Sequence, residues 1–215
     1  MKIISVNVGL PRETLWRGMN VLSSIFKNPV PGPVSVKALN LDGDRQADLT
    51  VHGGPNKAVY AYPIEHYPYW KRELQIADLA WGAFGENLTV EGVTEDVLAI
   101  GDQLKTGSAV LTVTQPRSPC YKLAMKFGRD DMIEKFLNSR RSGIYFSVAQ
   151  EGEVGPGDSV EILSRDPHHV TIADINRLYV EEHTDEDLLN RALETGALPQ
   201  SWKDYLARRA AARRR

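Results

Sequence analysis

Cysteine is nearly absent from this sequence: Cys120 is the only one among 215 residues. A lone thiol excludes an intramolecular disulfide. It also excludes a zinc or iron–sulfur site built from several cysteines of one chain. Redox chemistry here would need a bound cofactor and electrons delivered from elsewhere. Long apolar runs are missing as well, and none approaches the ~20 residues that span a bilayer. The apolar stretch in Met1–Gly9 is too short for a signal-peptide core and has no small-residue cleavage site after it. A cytoplasmic protein with no membrane partner is therefore expected. Excess charge is also lacking, with 26 Lys and Arg against 28 Asp and Glu, a net −2. The balance is uneven, because Arg208, Arg209, Arg213, Arg214 and Arg215 supply five positive charges. Removing those five from −2 leaves −7 on residues 1–207. An acidic body with a basic tail argues against a dedicated nucleic-acid binder.

Hydrophobic residues make up 42% of the chain and charged residues 25%, as in ordinary globular proteins. At ~150 residues per domain, the length fits one domain with a small appendage. The pattern changes near residue 165. Before it, short strand-like runs alternate with Gly, Pro, Asn and Asp: Lys2–Val8, Val34–Leu39, Leu49–His52, Ala58–Tyr62, Leu88–Val90, Val97–Ile100, Gln103–Thr106, Ala109–Val113, Tyr145–Val148 and Ser159–Leu163. Many short strands with frequent turns predict a mainly β, closed or nearly closed barrel. Gly101-Asp102 and Gly157-Asp158 form a weak internal echo, each before a strand. Helices are expected from about Pro68 to Gln75, over Pro119–Phe127 and over Asp131–Ser139. Asp131 with Glu134 reads as a helix-start signal.

After residue 165 three such signals follow one another: Thr171/Asp174, Thr184/Asp187 and Ser201/Asp204. Each precedes an apolar-periodic segment. The expected division is a β-barrel domain over residues 1–165 and a three-helix domain over 166–215. Three helices in so few residues are too small to stand confidently alone. They are expected to pack on the barrel, on one another or on a partner subunit.

The segment Arg117-Ser118-Pro119-Cys120-Tyr121-Lys122 is the most informative. Ser118 followed by Pro119 reads as an N-cap and first helical residue, which would put Cys120 in the first helical turn. Unpaired backbone N–H groups there, with Arg117 and Lys122 nearby, favour a thiolate able to act as nucleophile or soft metal ligand. The bland alternative is an inert buried cysteine. A Cys–His hydrolase is a further option, with His52 the best-placed partner. The turn Gly53-Gly54-Pro55-Asn56-Lys57 can present N–H groups to an anion beside Lys57, or simply join two strands. Residues 40–48 look like a calcium loop but have Ala47 where glycine is needed and Gly53 where glutamate is needed. Arg45 in that loop could reach a phosphate or pair with a neighbouring acid. Asn87 can donate and accept, which suits a heterocycle or an Asx turn. Tyr60, Tyr62, Tyr67, Tyr69 and Trp70 read as core packing. His168 and His169 read as a solvated linker pair.

Together these segments resemble the MOSC family, the molybdenum cofactor sulfurase C-terminal domain, in its YiiM-type branch. The resemblance rests on Asn40–Ala47, Val51–Val59, Tyr62-Pro63, Phe84–Val90, Arg117–Leu123 and Arg141–Tyr145. It covers nearly the whole chain, with residues about 25–163 as the MOSC part and Met1–Ser24 joining the same barrel. It implies a pyruvate-kinase-insert type of barrel followed by a three-helix domain. It implies a bound molybdenum cofactor (molybdopterin), with two sulfurs from the pterin dithiolene and a third from Cys120, the catalytic and metal-ligating residue. Arg117, Lys57, Arg45 and Lys122 become candidates for the cofactor phosphate, and His52 and Asn87 for pterin or substrate contacts. The implied reaction is reduction of N-hydroxylated compounds, N-hydroxylated purines among them, to amines. With one cysteine, a separate flavin-type reductase would supply the electrons. A cofactor or sulfur carrier without turnover is the alternative, and assembly as a homodimer is compatible with the sequence.

Overall fold

The computed structural model describes residues 1–47, 53–181 and 185–213. Its framework is one eight-stranded sheet. β1 (Lys2–Val8) is followed by a hairpin of β2 (Arg12–Trp16) and β3 (Met19–Ser23), then by the short β4 (Asn28–Val30) and β5 (Val34–Val36). β6 (Val59–Pro63) leads into helix α1 (Tyr67–Leu74), and β7 (Leu88–Glu91) follows. β8 (Gln103–Thr106) and β9 (Ala109–Pro116) precede helices α2 (Tyr121–Phe127) and α3 (Met132–Ser139). β10 (Ile144–Gln150), β11 (Gly152–Val154) and β12 (Val160–Ser164) complete the strands. The main sheet runs β12-β8-β9-β10-β6-β7-β1-β4, with β5–β11 and β2–β3 as separate pairs. All ladders in the main sheet are antiparallel except β6–β7. Ile3 N–H donates to Asp158 O and Val160 N–H to Met1 O, both at 2.9 Å. These bonds draw the start of β1 against the start of β12, so the sheet curls back toward itself.

The echoed Gly-Asp turns have a shared physical cause. Gly101 and Gly157 adopt φ of 93° and 94°, a conformation that favours glycine. The following aspartate then accepts the backbone N–H three residues earlier: Ala99 to Asp102 at 3.0 Å and Gly155 to Asp158 at 2.7 Å. The hairpin β2–β3 was not among the expected strands, although its turn is orthodox. Arg17 and Gly18 both have positive φ, as a two-residue hairpin loop requires. β4 and β11, three residues each, were likewise not expected.

One expected strand is replaced. Val97–Ile100 forms a turn with a single bridge, Ala99 to Thr171. Its backbone is spent on Asp102 and on the segment leading into the helix that starts at Ile172, so no ladder forms. Val34–Leu39 stops at Val36. Leu49–His52 lies outside the described residues.

The C-terminal helices are α4 (Ile172–Val180), α5 (Glu186–Glu194) and α6 (Gln200–Arg213). Thr171 and Asp174 form a reciprocal capping box, each side chain taking the other's backbone N–H at 3.0 Å. The second signal shifts by one residue: Asp185 caps α5, accepting Leu188 N–H at 3.0 Å, and Thr184 lies outside the described residues. Ser201 is no cap at all, because α6 already includes Gln200. The backbone N–H groups of Trp202 and Lys203 bond to Pro199 O instead. Apolar faces of the three helices join the core of the sheet. Ile172, Ile175 and Leu188 are fully buried in one cluster with Leu98, Ile100 and Val113, each such burial contributing ~1.5–3 kcal/mol. The aromatic stripe also packs inside, with Tyr62 and Trp70 at 0% exposure against Phe84 and Phe136.

Candidate functional site

β9 ends at Pro116, residues 117–120 carry no regular secondary structure, and α2 begins at Tyr121. The expected helix start at Ser118-Pro119 is therefore corrected. Cys120 is itself the N-cap, with φ −130° and ψ 171°, and α2 has seven residues. The stretch before it carries Arg117 into the wall, where the buried guanidinium donates to Phe84 O and sits 5.0 Å above the Tyr60 ring. That anchoring keeps these residues out of the helix that local signals favour. Cys120 is half-buried and lines an open cleft of about 620 Å³, its solvent-facing mouth included.

Among the described residues, five cationic side chains and one carboxylate line this cleft: Lys27, Arg45, Lys57, Arg117 and Lys122 against Asp44. Lys57 ends the 3₁₀ turn Pro55–Lys57. Burial lowers its pKa, and the nearby Cys120 thiolate raises it. Burial also acts to lower the pKa of Arg117, but Tyr60, Tyr145 and Cys120 prevail and hold it above the usual value. Lys57 and Arg117 are thus both electrostatically coupled to the Cys120 sulfur. Lys122 is buried, and Arg45 is exposed at the rim. Asn87 lines the cleft too, but its amide is engaged inside the protein. Its oxygen accepts Tyr60 N–H at 3.1 Å and its nitrogen donates to Asp44 at 2.9 Å. His52 lies outside the described residues. The structure thus gathers Cys120, Arg117, Lys57, Arg45, Lys122 and Asn87 around one space.

The Lys27–Asp44 ion pair was missed by the sequence reading. Its side chains are 9% and 2% exposed. Asp44 also accepts Gly9 N–H at 3.0 Å, so β1, the loop after β5 and Asn87 converge on one carboxylate. Burial lowers the Lys27 pKa, while Asp44 acts to raise it. Asp44 had a weak signal, the acidic density of residues 40–48, whereas Lys27 stands in no motif. Behind this wall, Glu86 accepts N–H from Gly82 and Phe84, both at 2.9 Å, and a bond from the Tyr67 hydroxyl. Lys126 donates to Ile25 O at 2.8 Å and to Gly82 O. Burial pushes its pKa down to about 7.

Among the described residues, no group of three or more His, Cys, Asp and Glu side chains could hold a bare metal ion. Cys120 is the soft donor facing the cleft. A single thiolate amid cations fits an anionic, phosphate-bearing group that brings its own metal and further sulfur ligands.

The MOSC domain family matches residues 48–161, and the YiiM-like, 3-alpha helix domain matches residues 170–212. The uncharacterized protein YflK of Bacillus subtilis is 41% identical over 94% of this chain and 90% of its own length. A protein of Gibberella moniliformis named "Reductase" is 32% identical over 75% of this chain, which corresponds to 29% of that longer protein. The crystal structure of YiiM from Geobacillus stearothermophilus superposes with a TM-score of 0.81 at 35% identity, covering 97% of this chain and 98% of that one.

Proposed function

Because the chain belongs to the MOSC family and ends in a YiiM-like three-helix domain, we propose that its cleft holds a molybdenum cofactor and that it reduces N-hydroxylated compounds to amines. The observation that carries this reading is the Cys120 thiol on the cleft wall, coupled electrostatically to Lys57 and Arg117. Cys120 would be the protein's ligand to the metal. Lys57, Arg117, Lys122 and Arg45 would face the negative charge of the pterin phosphate, where charge-assisted hydrogen bonds are strong. Asn87 would act indirectly, fixing Asp44 and the β6 backbone at Tyr60. His52 is assigned from the sequence pattern alone. When bound, the cofactor would supply a centre able to take the hydroxylamine oxygen while giving the substrate two electrons, which the external reductase would replace. The overall change is an N-hydroxylamine plus two electrons and two protons giving an amine and water.

The electrons would come from a separate flavin-type reductase, since one cysteine cannot build an iron–sulfur cluster. The relative named "Reductase" supports a reductive rather than a hydrolytic reading. Among the described residues no helix is long and apolar enough to cross a membrane, and action in the cytoplasm belongs to the same proposal. The test is to load the protein with molybdenum cofactor, add a flavin reductase and reduced nicotinamide, and follow amine formation from an N-hydroxylated purine. Turnover by the wild type that Cys120→Ala abolishes supports the assignment, and undiminished turnover in the variant refutes it. Stoichiometric cofactor without turnover under any donor would identify a carrier instead.

A further inference from the structure

A second recess lies beside the first and has the opposite chemistry. Ser118, Tyr179, Ser201, Trp202 and Tyr205 bound an open groove with about 430 Å³ of free space. Among the described residues that line it none is charged, although Arg209 donates to the Tyr205 hydroxyl at 3.4 Å, whereas five cations line the cleft. Tyr179 comes from α4, and Trp202 and Tyr205 come from α6. Their rings form one cluster, with centroids 5.4 Å (Tyr179–Trp202), 5.1 Å (Tyr179–Tyr205) and 6.3 Å (Trp202–Tyr205) apart. All three remain half-exposed, unlike Tyr62, Trp70 and Phe84, which are sealed in the core.

The groove reaches the thiol loop. Ser118 is exposed and stands two residues before Cys120, so their Cα atoms are no more than ~7 Å apart. A narrow seam shares lining residues with both recesses. Arg117 lines both cleft and seam, while Ser118, Tyr179 and Trp202 line both seam and groove.

We propose that this groove is the subsite for the organic part of the substrate: a neutral, planar heteroaromatic base stacks on Trp202 and its two tyrosine neighbours, and the Ser118 and Ser201 hydroxyls serve its polar edge. Rings recognise the π-face of any base with little regard for its substituents, and hydroxyls can donate or accept. The division of labour follows from charge: the cationic cleft takes the anionic group and the neutral groove takes the base. This rests on the proposed reductase reading only for the identity of the reacting group. Binding of a base is a separate property.

The test therefore has two arms. In the first, equilibrium dialysis of unreactive adenine against the full chain should show binding that Cys120→Ala leaves intact. Trp202→Leu should weaken it about 5- to 150-fold, the range for loss of one base–aromatic stack, and Trp202→Phe should largely keep it. Tyr205→Leu serves as a second variant should Trp202→Leu fail to fold, as judged by its thermal midpoint. Equal adenine binding in wild type and a folded Leu variant, or no binding to the wild type, overturns the subsite. In the second arm, with cofactor and reductase supplied, Trp202→Leu should raise KM for an N-hydroxylated purine and leave both kcat and the KM for free hydroxylamine unchanged. Equal losses for both substrates would mean a merely structural role and overturn the subsite. Trp202-dependent adenine binding without turnover of any substrate would sink the reductase reading and leave the subsite standing. Turnover indifferent to Trp202 would do the reverse.

Discussion

The cleft and the groove are neighbours with different origins. The cleft is assembled from strand ends and loops of the sheet, and its walls are charges held in place by hydrogen bonds: Arg117 on Phe84 O, and Lys27 on Asp44, which Asn87 and Gly9 also hold. The groove is assembled from two helices and the loop residue Ser118, and its aromatic wall is held by packing of the rings against one another and the adjoining core. Buried charges must be paired or they destabilise the fold, so the cleft needs a large supporting network. Aromatic rings need only neighbours. The difference shows why the cleft needs partners from many parts of the chain, while the groove draws its aromatic wall from residues 179–205 and, among the described residues, only Ser118 from elsewhere.

The largest expected effect falls on that supporting network. Asp44→Asn leaves Lys27 buried without its counter-charge and should cost ~3 kcal/mol of stability near neutral pH, read from urea unfolding. The loss should shrink in alkaline solution, where Lys27, its pKa already lowered by burial, gives up its proton. Adding Lys27→Met should restore most of it, and no recovery in the double variant would mean that Asp44 acts through Gly9 and Asn87 alone. Next, Arg117→Gln should weaken inorganic pyrophosphate binding to the cleft about tenfold while affecting adenine binding to the groove far less. A matched loss of both ligands would erase the distinction between the two recesses.

Smaller effects follow. Lys126 has a pKa near 7 in the folded protein, set first by burial, against ~10.4 in an unfolded chain. Between those values the unfolded state binds more protons, so its contribution to stability rises with pH. The unfolding free energy of the wild type relative to Lys126→Met should therefore climb from pH 7 to pH 9, and a flat or falling difference would contradict the burial. Thr171→Ala removes one half of the capping box that starts α4 and should cost ~1 kcal/mol. It should slightly weaken adenine binding, through Tyr179, without touching pyrophosphate binding.

Legibility in the sequence followed locality. The capping box of α4 spans four residues, and β9 alternates on its own, so both could be read directly. The Arg117–Cys120 loop could be found because two prolines, a cysteine and flanking cations are rare together. The start of α2 could not be placed, because Arg117 is drawn toward Phe84, 33 residues away. Lys27 and Asp44 meet across 17 residues. Ser118 and Trp202 face one groove from elements more than 80 residues apart, a meeting set by how α6 packs. Val97–Ile100 carries strand-like residues, yet Asp102 and Thr171 claim its backbone. The Arg117, Lys27–Asp44 and Ser118–Trp202 misses share one cause, a long-range contact that overrode or lay outside local preference.

The decisive experiment is elemental analysis for molybdenum in protein purified from a host that makes the cofactor, comparing wild type with Cys120→Ala at matched thermal midpoints. Close to one molybdenum per wild-type chain, and a small fraction of that in the variant, is the predicted result. Equal metal in both proteins, or none in the wild type, would contradict the role given to this thiol.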